Sequence, residues 1–581
     1  MATEPLIALD PSWPRMTLAE VEAVLCAPGE RFEMETIDIR GVPTRIWKNA
    51  PPSLAVLIQL ARAHGQREFT IHEDERVTYE ATYRAVAHLA TKLRELGVGK
   101  GDRVAMAMRN LPEWPVTFFA IVSLGAIAVP LNAWWTSGEL EYGLKDSGAK
   151  ILVVDAERHV RLRDCYDDLP DLERVIVGRA REPLTGKALA LEDLIGTATG
   201  WGELAEIPFP QAGIAPDDDA TIFYTSGTTG SPKGALGTHR NFVTNIMSAG
   251  FAAARALLRR GDAIPDPVPR ITLTVIPLFH VTACSAGMMS AIASGSKMIF
   301  MRKWDPVAAM EIIQREGVHM TGGVPTIAWQ LLEHPDRDQY DLSSLESIGY
   351  GGAPSAPELV RRIYTEFKAL PTNGWGMTET TATVTTHGAE DYLNRPTSCG
   401  PPVAAADLKI MDVEGTRDLP AGEVGELYAR GPMVVKGYWN KPDATRETFI
   451  DGWVRTGDLA RLDEEGFCYI VDRAKDIVIR GGENIYSSEV EDVMYAHPAV
   501  TDCALIGIPH RTLGEQPVAV VHLAPGTQAS EAEIQAWVRE RIANFKVPVA
   551  IRFVKDVLPR NANGKILKKD LKVMFEDLAS A

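Results

Sequence analysis

The chain has 581 residues, more than one hydrophobic core normally organises, so at least two domains are expected. With 45% hydrophobic and 24% charged residues it has the composition of an ordinary globular protein, which excludes a disordered chain. A formal net charge of −17 argues against a protein that coats nucleic acid, yet it leaves room for a local positive pocket around one small polyanion.

Six cysteines (Cys26, Cys165, Cys284, Cys399, Cys468 and Cys503) stand far apart with no CxxC pair. That spacing predicts a reducing compartment and no zinc cage. The N-terminal "MATEPLIALDPSWPRM" lacks a basic start followed by an apolar run, and the last residues, Ala-Ser-Ala, are not a peroxisomal address. A cytoplasmic protein is expected.

Taken in chain order, residues 1–50 read as an extension ahead of the first strong pattern. "YEATYRAVAHLATKLRELGV" spaces its apolar residues as an amphipathic helix that stops at Gly97, and "DRVAMAM" follows as a short strand. The longest apolar run, Trp114 to Leu131, has prolines near both ends and is expected to be a buried core helix rather than a membrane span. "GAIAVPLNA", "AKILVVDAE" and "LERVIVG" are short β-branched runs of the kind buried in parallel sheets, and the pattern returns at "ITLTVIPLF", "SKMIFM" and "LESIGYGGA". Strands alternating with helices predict an α/β fold: a large N-terminal domain of parallel-rich sheets with flanking helices, residues 1–471. Beyond "DRAKDIVIRGGENIY" the texture changes to a compact α+β set. We read 472–476 as a hinge and 477–581 as a small mobile domain.

One loop carries unusual chemistry. "YTSGTTGSPKG", Tyr224 to Gly234, follows the strand-like "ATIFY" and packs three glycines, five Ser or Thr hydroxyls and one lysine into eleven residues. Gly227, Gly230 and Gly234 let backbone approach a ligand closely. Thr225, Ser226, Thr228, Thr229 and Ser231 with their N–H groups suit phosphate oxygens, and Lys233 adds a compact charge. It is not a Walker A loop. Alone, it reads first as a polar surface turn and only second as a phosphate binder.

Other motifs follow in order: "PLFHV" (277–281), "YGGAP" (350–354), "NGWGMTETT" (373–381), "GELYARGPMVVKGYW" (425–439), "GWVRTGDLA" (452–460), "DRAKDIVIRGGENIYSSEVE" (472–491) and "PRNANGKILK" (559–568). Together they resemble the adenylate-forming superfamily, in its acyl-CoA synthetase branch, over most of the chain beyond residue 75.

The resemblance implies an enzyme that joins a carboxylic acid to ATP, releasing pyrophosphate, and passes the acyl group from AMP to CoA. Thr225 to Gly230 with Lys233 would wrap the phosphates. Gly351, Gly352 and Ala353, with Asn373, Gly374, Trp375, Gly376 and Met377, would bound the adenine. Most members have tyrosine where this chain has Trp375. Asp458 and Arg473 would take the ribose. Thr378 and Glu379 would meet the α-phosphate and Mg²⁺, an ion that prefers oxygen ligands, with Thr228 as a second metal contact. Lys565 would bridge carboxylate and α-phosphate, where a positioned cation lowers the barrier. Gly481 and Gly482 would serve the CoA half-reaction, the small domain turning about Lys475 between halves.

His280 stands where amino-acid-activating members commonly have an aspartate, so an amino acid is not the expected substrate. His280, Val281, Cys284, Gly323 and Trp329 form the candidate acyl pocket. The small, apolar "VTACSAGMMSAIASG" either leaves room for an acyl chain or packs as a tight helix. A medium- or long-chain fatty acid is the first choice, and an aryl or alicyclic acid the second. Loading of a carrier protein and a non-catalytic binding protein are the remaining alternatives. The expected partners are the acid, ATP·Mg²⁺ and CoA, with no nucleic acid; a homodimer is compatible with the sequence.

Overall fold

The computed structural model describes residues 12–225, 231–351, 357–412, 414–481, 483–524, 526–560 and 566–578. Two large sheets carry the N-terminal part. The first runs Gly234–Thr238, Asp219–Tyr224, Ile127–Pro130, Arg103–Ala107, Ile151–Asp155, Arg174–Gly178, Ala188–Ala190. Its pairs are parallel except for the edge strand Gly234–Thr238. The second has the order Ala382–Gly388, Leu370–Met377, Ser347–Gly351, Met320–Gly323, Ile271–Thr274, Lys297–Phe300, Glu68–His72, Glu75–Thr78. Six central strands are parallel and both edges antiparallel.

Between these sheets lies the main core. The helix Tyr79–Glu95 contributes Val86, Leu89 and Leu93 to it, capped at its start by the Thr78 hydroxyl, which accepts from Ala81 N at 3.1 Å. The apolar run 114–131 is not one helix. The helix Glu113–Ser123 ends, the chain turns at Gly125 with φ +67°, and Ile127–Pro130 becomes a central strand. Hydrophobicity alone could not divide that run; the left-handed turn at Gly125 and the β-branched Ile127 and Val129 do.

A third sheet, wholly antiparallel, is built from Asp407–Met411, Gly425–Arg430, Trp453–Leu462, Phe449–Ile450 and Cys468–Arg473. The long helix His239–Arg260 packs beside it. Residues 474–477 then lead to the fourth sheet, with Val478–Arg480, Glu483–Ile485, Gly514–Leu523, Val500–His510 and Ile551–Val554, flanked by the helices Ser487–Tyr495 and Glu531–Arg539.

The N-terminal stretch is part of the core. Met34–Ile39 and Val42–Trp47 form a hairpin whose two turn residues, Arg40 and Gly41, both take positive φ (55° and 81°), the twist a two-residue turn requires. Phe32 and Trp47 pack on Phe251 of the long helix, and the Trp47 indole donates to Ser248 Oγ at 3.2 Å. Among the described residues all six cysteines are free, and no helix is long and apolar enough to cross a membrane.

Candidate active site

Register brings two of the glycine-rich motifs together. Parallel pairing sets Tyr350 opposite Asn373 and Gly351 opposite Gly374, so the two motifs meet toward the carboxyl ends of neighbouring strands of the second sheet. The carboxyl ends of parallel strands are where open α/β sheets bind ligands.

The chain beyond this pairing is held in an unusual shape. A Cβ on Gly376 would lie 1.4 Å from the carbonyl oxygen of Ala382, so no other residue fits there. Thr381 and Ala382 then adopt φ of +50° and +94°, conformations that side-chain-bearing residues seldom take. The long helix supplies the counterforce. Asn245 donates to Thr381 O at 2.7 Å and accepts from Thr383 N at 3.0 Å, and Thr381 Oγ1 donates to Met433 O at 3.0 Å.

This clamp presents Glu379, which is buried. Its Oε1 accepts from the Tyr438 hydroxyl at 2.6 Å, and its backbone carbonyl accepts from Val435 N at 3.0 Å. Burial, and then the neighbouring carboxylate, push the Tyr438 hydroxyl well above the ordinary tyrosine range, so it stays a donor. Lys233 Nζ lies 4.8 Å from the centre of the same ring. The segment 436–439 is stitched to the strand after the phosphate loop: Trp439 N donates to Gly234 O at 2.7 Å and Leu236 N to Gly437 O at 2.9 Å. Thr225 N donates to Lys233 O at 2.9 Å, and Lys233 N to Thr225 Oγ1 at 3.2 Å, so the two ends of the loop are pinned to each other. Lys233, Tyr438 and Glu379 therefore stand in a row.

Asp458 is the third component. It is 7% exposed, pairs across the third sheet with Arg473, and its Oδ1 lies 3.3 Å from Arg473 Nε. Its Oδ2 accepts from the indole N–H of Trp375 at 2.8 Å. Trp375 thus joins the "NGWG" motif to Asp458, 83 residues away in sequence.

Ser226, Gly227, Thr228, Thr229, Gly230, Gly352, Ala353, Gly482 and Lys565 lie outside the described residues. Thr378 opens the short turn ahead of Thr381, and Met377 precedes it at the strand end. Lys475 is exposed in the connection to the fourth sheet. Gly481 follows Val478–Arg480 with φ +61°, its N–H donating to Leu513 O at 2.7 Å.

The candidate acyl residues divide. Gly323 pairs with Tyr350 in the second sheet, and the His280 ring lies beside Phe279 at 4.6 Å. Val281 and Cys284 belong to the main core, and burial pushes the Cys284 thiol well above its ordinary range. Trp329 packs in the separate core under the second sheet, with the Arg362 guanidinium 5.3 Å over its ring. The five are therefore not one cluster. Sequence reasoning missed Tyr438, although it lies inside the motif 425–439, and Asn245, for which no local signal exists. It also missed a polar network around Asp472: Lys568 Nζ donates to Ser487 Oγ at 2.7 Å and meets Glu491 at 2.8 Å, while Ser487 Oγ reaches Asp472 at 3.0 Å.

A magnesium ion fits these groups. Among the described residues Oε2 of Glu379 takes no hydrogen bond, and no cluster of three His, Cys, Asp or Glu side chains could cage a metal. One carboxylate beside a hydroxyl suits an ion that keeps waters and phosphate oxygens as its other ligands. Bound there, Mg²⁺ would neutralise phosphate charge; the protein's share is the Glu379 carboxylate, held in place by Tyr438.

The family model "AMP-binding enzyme" matches residues 58–439, and "AMP-binding enzyme C-terminal domain" matches 489–565. Feruloyl-CoA synthase of Amycolatopsis sp is 36% identical over 87% of this chain and 95% of its own length. Long-chain-fatty-acid–CoA ligase of Bacillus subtilis is 34% identical over 86% and 90%. Among solved structures, o-succinylbenzoate CoA synthetase from Bacillus subtilis in complex with ATP and magnesium ion superposes with TM-score 0.74 at 30% identity, covering 90% of this chain and 99% of that one. The chain belongs to the AMP-binding enzyme family and is an AMP-forming acid–CoA ligase.

Proposed function

We propose that this ligase activates an apolar carboxylic acid, and that the acid is a compact ring-bearing one. The observation that carries this reading is the packing of the segment after His280. Residues Thr282–Met288 form a π-helical turn, and Ala283, Cys284, Met288 and Met289 are buried against the rest of the main core. Close-packed side chains along that path favour a compact acid over a long alkyl chain. The solved relatives include the anthranilate CoA ligase AuaEII in complex with anthranoyl-AMP, at TM-score 0.80 and 26% identity. A medium- or long-chain fatty acid is the second reading, favoured by the likeness to the Bacillus subtilis long-chain-fatty-acid–CoA ligase.

In this account the phosphate loop with Lys233 holds the β- and γ-phosphates of ATP. Thr378 and Glu379 meet the α-phosphate side, and Asp458 with Arg473 holds the ribose. The carboxylate of the acid attacks the α-phosphorus, the bond to the bridging oxygen breaks, and pyrophosphate leaves. Lys565 offsets the charge of the two approaching anions. The thiolate of CoA then attacks the acyl carbonyl and AMP departs, after the small domain has turned about 472–476 to bring Gly481 and Gly482 to the site. Thioester formation measured with cinnamates, benzoates, alicyclic acids and fatty acids of graded length tests the choice. The highest kcat/KM with a ring-bearing acid supports it; a steady rise with alkyl chain length sinks it.

A further inference from the structure

Trp375 departs from the tyrosine common at its position in the family that this chain resembles, and the structure gives the departure a use. Its indole N–H donates to Asp458 Oδ2 at 2.8 Å, while Arg473 Nε stands 3.3 Å from Oδ1. The indole ring packs against the apolar cluster of Cys399, Ile410, Leu427, Ala460 and Cys468, which fixes its direction. The aspartate is fixed as well, since it pairs with Arg473 in the sheet and its own N–H donates to Thr456 Oγ1 at 3.1 Å.

We propose that Trp375 is a positioning residue for the nucleotide: its N–H holds the Asp458 carboxylate in the orientation that receives the two ribose hydroxyls. Lone-pair arithmetic supports the assignment. An ionised carboxylate offers about four acceptor sites. The indole takes one on Oδ2, while Arg473 stands 3.3 Å from Oδ1 as an ion pair, which leaves at least one site on each oxygen, the arrangement a vicinal diol needs. An indole is a donor only, so it never competes with the carboxylate for the hydroxyl protons, whereas a phenol at the same place both donates and accepts. Trp375 therefore links adenine and ribose recognition through one side chain. The proposal rests on the reading that Asp458 binds ribose, and its test separates the two.

The experiment is a cycle of variants and nucleotides, read by calorimetric binding with neither acid nor CoA present. AMP and 2′,3′-dideoxy-AMP are titrated into the wild-type chain, Trp375→Phe and Asp458→Ala. Phenylalanine keeps an aromatic face for stacking and deletes the donor. Asp458→Ala is expected to weaken AMP at least tenfold and dideoxy-AMP less than twofold, which establishes the ribose reading. Trp375→Phe is expected to weaken AMP about tenfold and dideoxy-AMP less than twofold; in turnover it raises KM for ATP with kcat changed less than threefold. Equal weakening of both nucleotides by Trp375→Phe, or none, overturns the positioning role even where Asp458→Ala behaves as expected. If Asp458→Ala weakens both nucleotides equally, the ribose reading falls and the proposal with it. Thermal unfolding of each variant checks that the fold is kept; should Trp375→Phe unfold, Trp375→Leu, which also deletes the donor and keeps apolar bulk, runs the same cycle with the same criteria.

Discussion

Replacing Tyr438 with phenylalanine removes one oxygen and nothing else from the centre of the site. The ring keeps its contacts, with Lys233 Nζ 4.8 Å from its centre and Phe449 at 5.5 Å, edge to face. What is lost is the 2.6 Å hydrogen bond to Glu379, a bond to a charged acceptor. Such bonds contribute roughly 1.5–3 kcal/mol net, and each 1.4 kcal/mol is about a factor of ten. The expected fall in kcat/KM for ATP·Mg²⁺ is therefore about 10- to 150-fold. Because Glu379 is the carboxylate assigned to the metal, the loss should be greatest at low Mg²⁺ and shrink as Mg²⁺ is raised. Acid-dependent exchange of labelled pyrophosphate into ATP, run across a magnesium series, reads both effects, and thermal unfolding should show little change. Exchange within twofold of wild type at every magnesium concentration would refute the claim that Tyr438 holds the metal carboxylate.

Three further outcomes are expected. Gly376→Ala forces a Cβ to within 1.4 Å of a carbonyl oxygen that is itself held by the strained Thr381–Ala382 backbone. It should cost at least the roughly 1–3 kcal/mol of ordinary overpacking and abolish pyrophosphate exchange, so wild-type activity would contradict the geometry. Burial lowers His239 to about 4 and His387 to about 3, so both are neutral in the fold while the unfolded chain takes up protons below about 6.5. Stability from these two is full above that pH and is lost as pH falls, by about 2 kcal/mol each at pH 5; urea unfolding at pH 7 and pH 5 measures it, and equal midpoints would count against it. Lys565→Ala should abolish adenylation yet leave thioester formation from preformed acyl-adenylate largely intact, and an equal fall of both half-reactions would remove the role assigned to that lysine.

Among the described residues the sequence was legible where contacts are local: the Thr378–Glu379 pair and Asp458 each lie within one short motif, and the parallel pairing of Tyr350 and Gly351 with Asn373 and Gly374 joins two consecutive strands of the chain. Contacts across the fold were not legible. Nothing local to Asn245 tells that it clamps Thr381 136 residues away, nor does Trp375 announce Asp458. The third sheet gives little signal because its antiparallel strands are separated by loops and carry charged faces, and the first fifty residues read as an appendage because Phe32 and Trp47 find their partners more than two hundred residues on. The candidate acyl residues were least legible, since small apolar residues serve a packed core and an open channel equally well.

The central claim is a two-step reaction through acyl-AMP. The direct measurement is a single turnover with ATP·Mg²⁺ and the preferred acid, quenched and resolved by mass before and after CoA is added. Acyl-AMP and pyrophosphate should accumulate without CoA, and that acyl-AMP should then convert to acyl-CoA and AMP. ADP and phosphate as products, or acyl-CoA formed with no acyl-AMP ahead of it, would contradict the account.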